Sequence, residues 1–389
     1  MDDIYLDSRN VGDVEPPKKK KGILTRIRVF FKNPKKRLIF IIVTGIVLIA
    51  AAVTGYYFYM KNTSKGTDGT NPINKDFQVE NPTYQAVLDG IMVANQEAAS
   101  LHPLGIIIEN HTDARPQAGL TSASIVYEAI AEGGITRFLA LFGENEVDKA
   151  GPVRSARTYF VDWAHGYNAF LAHVGGNMDA LDKIKAEHIL DLDQFAYSKP
   201  YWREKGLRVS SEHTMFTSTE GLRAQANSNK YTTDNNFKVF NFKDDPKPDS
   251  AEFTALPASQ TISINYGNAN YNAAFSYDKA TNSYLRSQAG KPHTDRVTGK
   301  QINPKNVIIM TVNRKSTVTR INEQGYIMDV IGEGKAQIFL DGKEIDGKWK
   351  KTSASEREIF YDSEGKEVTF NRGQFWISII SPELSVSVQ

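Results

Sequence analysis

From Leu38 to Met60 the chain reads LIFIIVTGIVLIAAAVTGYYFYM, without a single charged residue. About 20 apolar residues are what an α-helix needs to cross a bilayer, so this run is read as a transmembrane helix and not as part of a folded core. Lys18, Lys19, Lys20, Lys21, Arg26, Arg28, Lys32, Lys35, Lys36 and Arg37 precede it. Lys and Arg beside a span stay cytoplasmic, which puts the N-terminus inside and everything after Met60 outside. Tyr56, Tyr57, Phe58 and Tyr59 then form an aromatic belt at the outer interface. A cleaved signal peptide would have a shorter apolar region ending in small residues, whereas this one is long and leaves through bulky side chains. The expected location is therefore the cell membrane, single-pass, with the bulk of the chain extracellular.

The formal charge of +2 hides an asymmetry. Eleven Lys and Arg precede Leu38 against five Asp and Glu, leaving 36 basic and 40 acidic residues for the rest. A slightly acidic ectodomain does not suit nucleic acid, whose binding surfaces are strongly basic. Cysteine is absent, so neither disulfides nor a lipid-bearing Cys are available. The roughly 300 residues outside the membrane suffice for two ordinary domains held by apolar cores.

Composition divides the chain into a basic cytoplasmic tail (1–37), the transmembrane helix (38–60), a Gly-, Asn- and Thr-rich linker (61–85) and two halves, 86–232 and 233–389. The boundary falls in a polar tract from Ala224 to Gln260, within which Phe237–Phe242 alternates like a strand. In the first half, Leu104–Ile108, Ser124–Tyr127, Thr136–Phe142 and Ala169–Val174 read as strands between amphipathic segments, the pattern of an α/β domain. Val153, Ala156, Phe160, Trp163, Ala164 and Tyr167 recur at helical spacing, predicting a helix over Val153–Tyr167 with Pro152 in its first turn. The second half has Asn306–Thr311, Ala336–Leu340, Val368–Phe370 and Trp376–Ile380 as strands. Asp341-Gly342, Asp346-Gly347 and Glu364-Gly365 read as turns, so a mainly-β domain is expected.

Three first-half strands run out into polar residues: Glu109, Asn110 and His111; Glu128 and Glu132 before Gly133-Gly134; and His173 before Gly175-Gly176. Ligands of open α/β sheets bind beyond such strand ends. A lone His173 is also the ordinary signature of a hydrogen-bonded core residue. GPVRSAR places Arg154 and Arg157 near the predicted helix start, where cations are unfavourable unless an anion binds there. Arg115 and Arg137 are candidates to join them, unless each arginine instead pairs with a carboxylate. No GxSxG, HExxH or P-loop is present, which disfavours a triad hydrolase.

The blocks PLGIIIENHTDARPQAGLTSASIVYEAIAEGGITRFLALF, GPVRSARTYFVDWAHGYNAFLAHVGG and HTMFTSTEGL resemble the YerB-like family of Gram-positive lipoproteins. YLRSQAGKPHTDRVTGKQINPKNVIIM, DVIGEGKAQIFLDGKEIDGKWKK and YDSEGKEVTFNRGQFWISII resemble that family's C-terminal module. The resemblance spans about Ala86 to Ile380 and implies an N-terminal and a C-terminal domain of unknown function. Relatives anchored through a lipidated Cys differ from this chain, which carries an apolar helix instead. A fainter similarity, in plan and in GPVRSAR, is to the LytR-CpsA-Psr transferases, which use arginines for polyprenyl pyrophosphate and a carboxylate for magnesium.

Three functions follow as expectations. One is an envelope protein binding an anionic, phosphate- or sugar-bearing ligand such as a cell-wall glycopolymer. Another is a metal-dependent phosphoryl or glycosyl-phosphate transferase, with a divalent cation such as Mg held by Glu109, Glu128 or Glu132. A scaffold that docks an envelope protein partner, with purely structural arginines, is the third.

Overall fold

The computed structural model describes residues 83–319 and 321–389. The basic tail, the Leu38–Met60 run and the linker up to residue 82 lie outside these. Among the described residues no helix is long and apolar enough to cross a membrane. The described chain is mostly β with few helices.

The first half supplies strands β1 (Leu104–Glu109), β2 (Ile125–Ile130), β3 (Thr136–Phe142), β4 (Phe170–His173) and β5 (Asp191–Asp193). The second half supplies β6 (Thr261–Asn265), β7 (Ala273–Asp278), β8 (Ser283–Gln288), β9 (Lys291–Pro292) and β10 (Asn306–Thr311). It continues with β11 (Gly332–Leu340), β12 (Lys343–Lys351), β13 (Ile359–Asp362), β14 (Phe375–Ile380) and β15 (Ser385–Val388). One ten-stranded mixed sheet runs in the order β13-β12-β11-β10-β14-β2-β3-β1-β4-β5. Its seam is β14, parallel to β10 on one side and to β2 on the other, with Trp376 opposite both Val307 and Val126. The two halves of the sequence therefore share a hydrogen-bonded sheet.

Strands β1, β2, β3 and β14 are buried at every position, which explains their near-continuous apolar character: both faces of the sheet are covered. On one face lie α1 (Thr158–His165) and α2 (Met178–Ala186), packing Phe160, Trp163 and Ile184 on Ile107, Tyr127 and Leu139. The other face carries α3 (Thr219–Ser228) and a five-stranded sheet, β9-β8-β7-β6-β15. There Ile262, Phe275 and Tyr284 meet Val126, Phe138 and Trp376.

The structure corrects several local expectations. The helix begins at Thr158, not Val153, because the preceding residues pair as extended chain: Val153 bridges Ile108 and Ala156 bridges Gly176. Pro152 follows a cis peptide bond in that segment and is not in a helical turn. Asp341-Gly342 does form the β11–β12 hairpin turn, both residues having positive φ as a tight hairpin of this hand requires. Asp346-Gly347 makes no turn; it lies inside β12, where a Cβ on Gly347 would sit 2.0 Å from the Tyr361 carbonyl oxygen. Close approach of β13 explains that glycine. Within the polar tract, Asn241–Lys243 is a short strand parallel to Thr369–Asn371, so the tract is partly pinned to the second half.

Candidate functional site

Side-chain alternation sorts the predicted polar residues onto two faces of the sheet. Glu109 and Arg137, cross-strand neighbours on β1 and β3, face the helix α1 side. Glu128 and Thr136 face the five-stranded sheet. The residues singled out from the sequence thus form two networks and not one cleft.

On the α1 side, arginines and carboxylates alternate. The Arg137 guanidinium donates to the Ser155 carbonyl at 2.7 Å and to Glu132 at 3.1 Å. Burial pushes Arg137 down to about 10, which still leaves it cationic at neutral pH. Arg157 is the N-cap residue of α1; its guanidinium contacts Glu132 and the Ala156 carbonyl instead of facing an open helix end. Arg154 lies before the helix. Its Nε donates to Glu109 at 2.9 Å and its Nη2 to Glu212 at 2.6 Å.

Glu109 is 4% exposed and accepts from His213 Nδ1 at 2.9 Å through its second oxygen. That bond orients His213 so that Nε2 remains, and the ring stacks on His111 at 4.7 Å between centroids with 6° between planes. His111 opens a short 3₁₀ turn over Thr112–Ala114, its Nδ1 accepting the Asp113 N–H at 3.2 Å. The side chains of His111, Asp113 and Glu212 are 33%, 55% and 51% exposed, so this cluster reaches the surface at the carboxyl end of β1. The Glu212 carboxyl is held below its ordinary value, first by the hydrogen bond from Arg154.

The opposite face holds a closed, buried network across the two halves. Glu128 and Arg286 form an ion pair at 2.7 Å with both side chains 0% exposed. Glu128 also accepts from Thr136 Oγ1 at 3.0 Å and Trp376 Nε1 at 3.1 Å. The Arg286 guanidinium lies 4.4 Å from the Trp376 ring centroid and contacts His293 Nδ1. Burial, then the neighbouring arginine charges, drive His293 well below its ordinary pKa. The neutral ring accepts from Arg286 and donates from Nε2 to Gln117 Oε1 at 2.8 Å. Gln117 passes on to Asn110, whose Nδ2 donates to Thr136 at 2.6 Å. Arg115 donates to the Asn110 side chain and carbonyl and lies 5.0 Å over Tyr271.

His173 stands apart from both. Its ring nitrogens face acceptors alone, Asp191 Oδ1 at 2.9 Å and the Gly175 carbonyl at 2.7 Å. Burial opposes protonation, but the Asp191 hydrogen bond and the Asp191 and Asp193 charges prevail and raise its pKa. Its ring ties β4 to β5.

Sequence reading passed over His213, Asp113, Glu212 and Arg286. The block HTMFTSTEGL contains His213, but nothing in its spacing points to Glu109, 104 residues earlier. Glu128 was expected beyond a strand end, whereas β2 continues to Ile130 and leaves it fully enclosed.

Two family models match the chain: the N-terminal domain of "Protein of unknown function (DUF3048)" over residues 88–232 and its C-terminal domain over 262–377. A curated relative from Bacillus subtilis (strain 168), "Putative lipoprotein YerB", is 31% identical over 310 residues, covering 78% of this chain and 88% of the relative. The crystal structure of the YerB protein from Bacillus subtilis superposes with a TM-score of 0.68 at 28% identity, over 78% of this chain and 100% of that one. The chain belongs to the YerB-like DUF3048 family, in both its N-terminal and its C-terminal domain.

Proposed function

We propose that the protein is a single-pass envelope protein, its N-terminus cytoplasmic, whose extracytoplasmic α/β half binds an anionic, phosphate- or sugar-bearing ligand. The relative's description as a lipoprotein supports attachment to a membrane from outside, and the Leu38–Met60 run supplies the anchor here. One observation carries the binding reading: Arg154 and the partly exposed ring of His111, which stacks on His213, present donors together at the carboxyl end of β1, the Arg154 side chain being 26% exposed. Arg154 Nη1 has no partner among the described residues, so a donor is available to an incoming oxyanion.

A scaffold is the second reading, favoured by a specific observation. Arg137 and Arg157 are both spent on Glu132, and Arg286 on Glu128. Phosphoryl transfer with metal on Glu109, Glu128 or Glu132 loses support, since each of these carboxylates is already engaged by an arginine.

The test is a thermal-shift titration of the full chain in mild detergent with phosphorylated sugars and polyprenyl phosphate, on wild type and Arg154→Ala. Binding predicts a ligand-dependent rise in melting temperature that Arg154→Ala weakens about ten- to a hundredfold in ligand concentration. No shift of the wild type with any of these anions would move the reading to the scaffold.

A further inference from the structure

We infer that His111, Asp113 and His213 form a divalent-cation site of the His₂-carboxylate type, at the surface proposed above for the anionic ligand. All seven histidines of the chain lie among the described residues, and there is no cysteine to compete for a borderline metal. Of the described residues, these three bring ligand atoms within 4.8 Å of one another. A local arrangement supports the geometry independently of that proximity. Glu109, 4% exposed, accepts a hydrogen bond from His213 Nδ1–H at 2.9 Å, the carboxylate–histidine pairing that fixes the tautomer of a ligating imidazole and leaves Nε2 as the ligand atom. Charge also fits. Asp113, Glu109 and Glu212 stand against the paired Arg154, while the nearby Arg137 is matched by Glu132, leaving net negative charge for a divalent ion when the imidazoles are neutral.

The stacked rings must reorganise, because one ion cannot lie in two parallel ring planes. His111 is the ring free to turn: its side chain is 33% exposed and its one hydrogen bond, from the Asp113 N–H, is 3.2 Å long. His213, buried and held by Glu109, stays. Three protein ligands leave a coordination position open to water or an anionic oxygen, as in catalytic zinc sites. Imidazole with carboxylate suits Zn²⁺ or Mn²⁺ better than Mg²⁺, which prefers oxygen and keeps its waters. The inference rests on the same surface as the ligand-binding reading, but metal alone tests it.

The tag-free full chain in mild detergent, dialysed against EDTA and then freed of it, is titrated with ZnCl₂ and MnCl₂ by calorimetry and with Co²⁺ by visible absorption. One ion per chain is expected, with a Co²⁺ spectrum showing imidazole coordination. His111→Ala and Asp113→Asn should each weaken binding by at least about tenfold. Both side chains are partly exposed, so the metal-free melting temperature should stay at the wild-type value and report that the variants fold. Absence of saturable binding in the wild type, or wild-type affinity in both variants, overturns the site. Because no phosphate or sugar is present, such a failure leaves the anionic-ligand reading to be judged by its own titration.

Discussion

Replacing Arg286 by Met tests whether the buried network across β2, β8 and β14 is what locks the two halves of the sequence together. The substitution keeps an unbranched, shorter and uncharged stem among Phe138, Phe275 and Trp376, whose rings lie 4.4 to 5.9 Å from the guanidinium. The guanidinium head and its contact to His293 are lost, but the pH-dependent part of the cost comes from the stranded carboxylate. Glu128, 0% exposed, keeps the Thr136 and Trp376 donors but loses its cation. Removing one partner of a buried pair costs about 3–5 kcal/mol. An independent ceiling comes from proton uptake, since neutralising an ordinary glutamate at pH 7.5 costs about 4 kcal/mol. The two agree, and the second adds a sign. A stranded carboxylate that neutralises on folding makes the variant bind more protons folded than unfolded, so its stability falls as pH rises. The deficit relative to wild type should therefore be about 3–4 kcal/mol at pH 7.5 and shrink to about 1–2 kcal/mol near pH 5. Adding Glu128→Gln should recover much of it at pH 7.5, because no stranded charge remains. Urea unfolding followed by tryptophan fluorescence measures all three proteins, with Trp376 in direct contact with the site. A loss below about 1 kcal/mol at pH 7.5, or one that does not change with pH, would refute the reasoning.

Gly347→Ala should destabilise by about 1–3 kcal/mol and loosen β13 from β12, because the added Cβ would lie 2.0 Å from the Tyr361 carbonyl oxygen. Hydrogen exchange of Ile359–Asp362 amides checks it, and unchanged protection there would count against the packing argument. Burial first, then the neighbouring Asp89 charge, lift the Glu144 carboxyl to about 8, and burial lifts Asp89 as well. Folded-state values above the unfolded ones mean that this stabilisation is complete below the unfolded carboxylate range and is lost as pH climbs through about 8. Glu144→Gln should therefore flatten the fall in urea midpoint between about pH 5 and pH 8.5, a fall no steeper than about 1.4 kcal/mol per pH unit for one proton; a variant with the wild-type slope would refute the pairing.

How much of this was legible in the sequence depends on the range of the interaction. Strands Thr136–Phe142 and Asn306–Thr311 are where the apolar runs put them, because burial on both faces writes an uninterrupted apolar signal into four or five consecutive residues of each. The Asp341-Gly342 hairpin is equally local. Helix α1 shows where such a signal misleads: Val153 and Ala156 continue its apolar spacing, yet they are buried as extended chain paired with Ile108 and Gly176. Periodicity records that a side chain is buried, not which backbone buries it. The arginines show the same limit for charge. Arg154 and Arg157 looked like donors for an external anion because their carboxylates, Glu109 and Glu132, are 45 and 25 residues away. No spacing rule connects them. Glu109 itself gains its meaning from His213 on a segment more than a hundred residues later, and Glu128 from Arg286 at a separation of 158. The seam strand β14 joins the first half to the second, so the buried network around Glu128, Arg286 and Trp376 exists only when both are folded together. A first half expressed without the second would lose the partner of Glu128 and the parallel neighbour of β2, and that dependence distinguishes a shared sheet from two domains that merely touch.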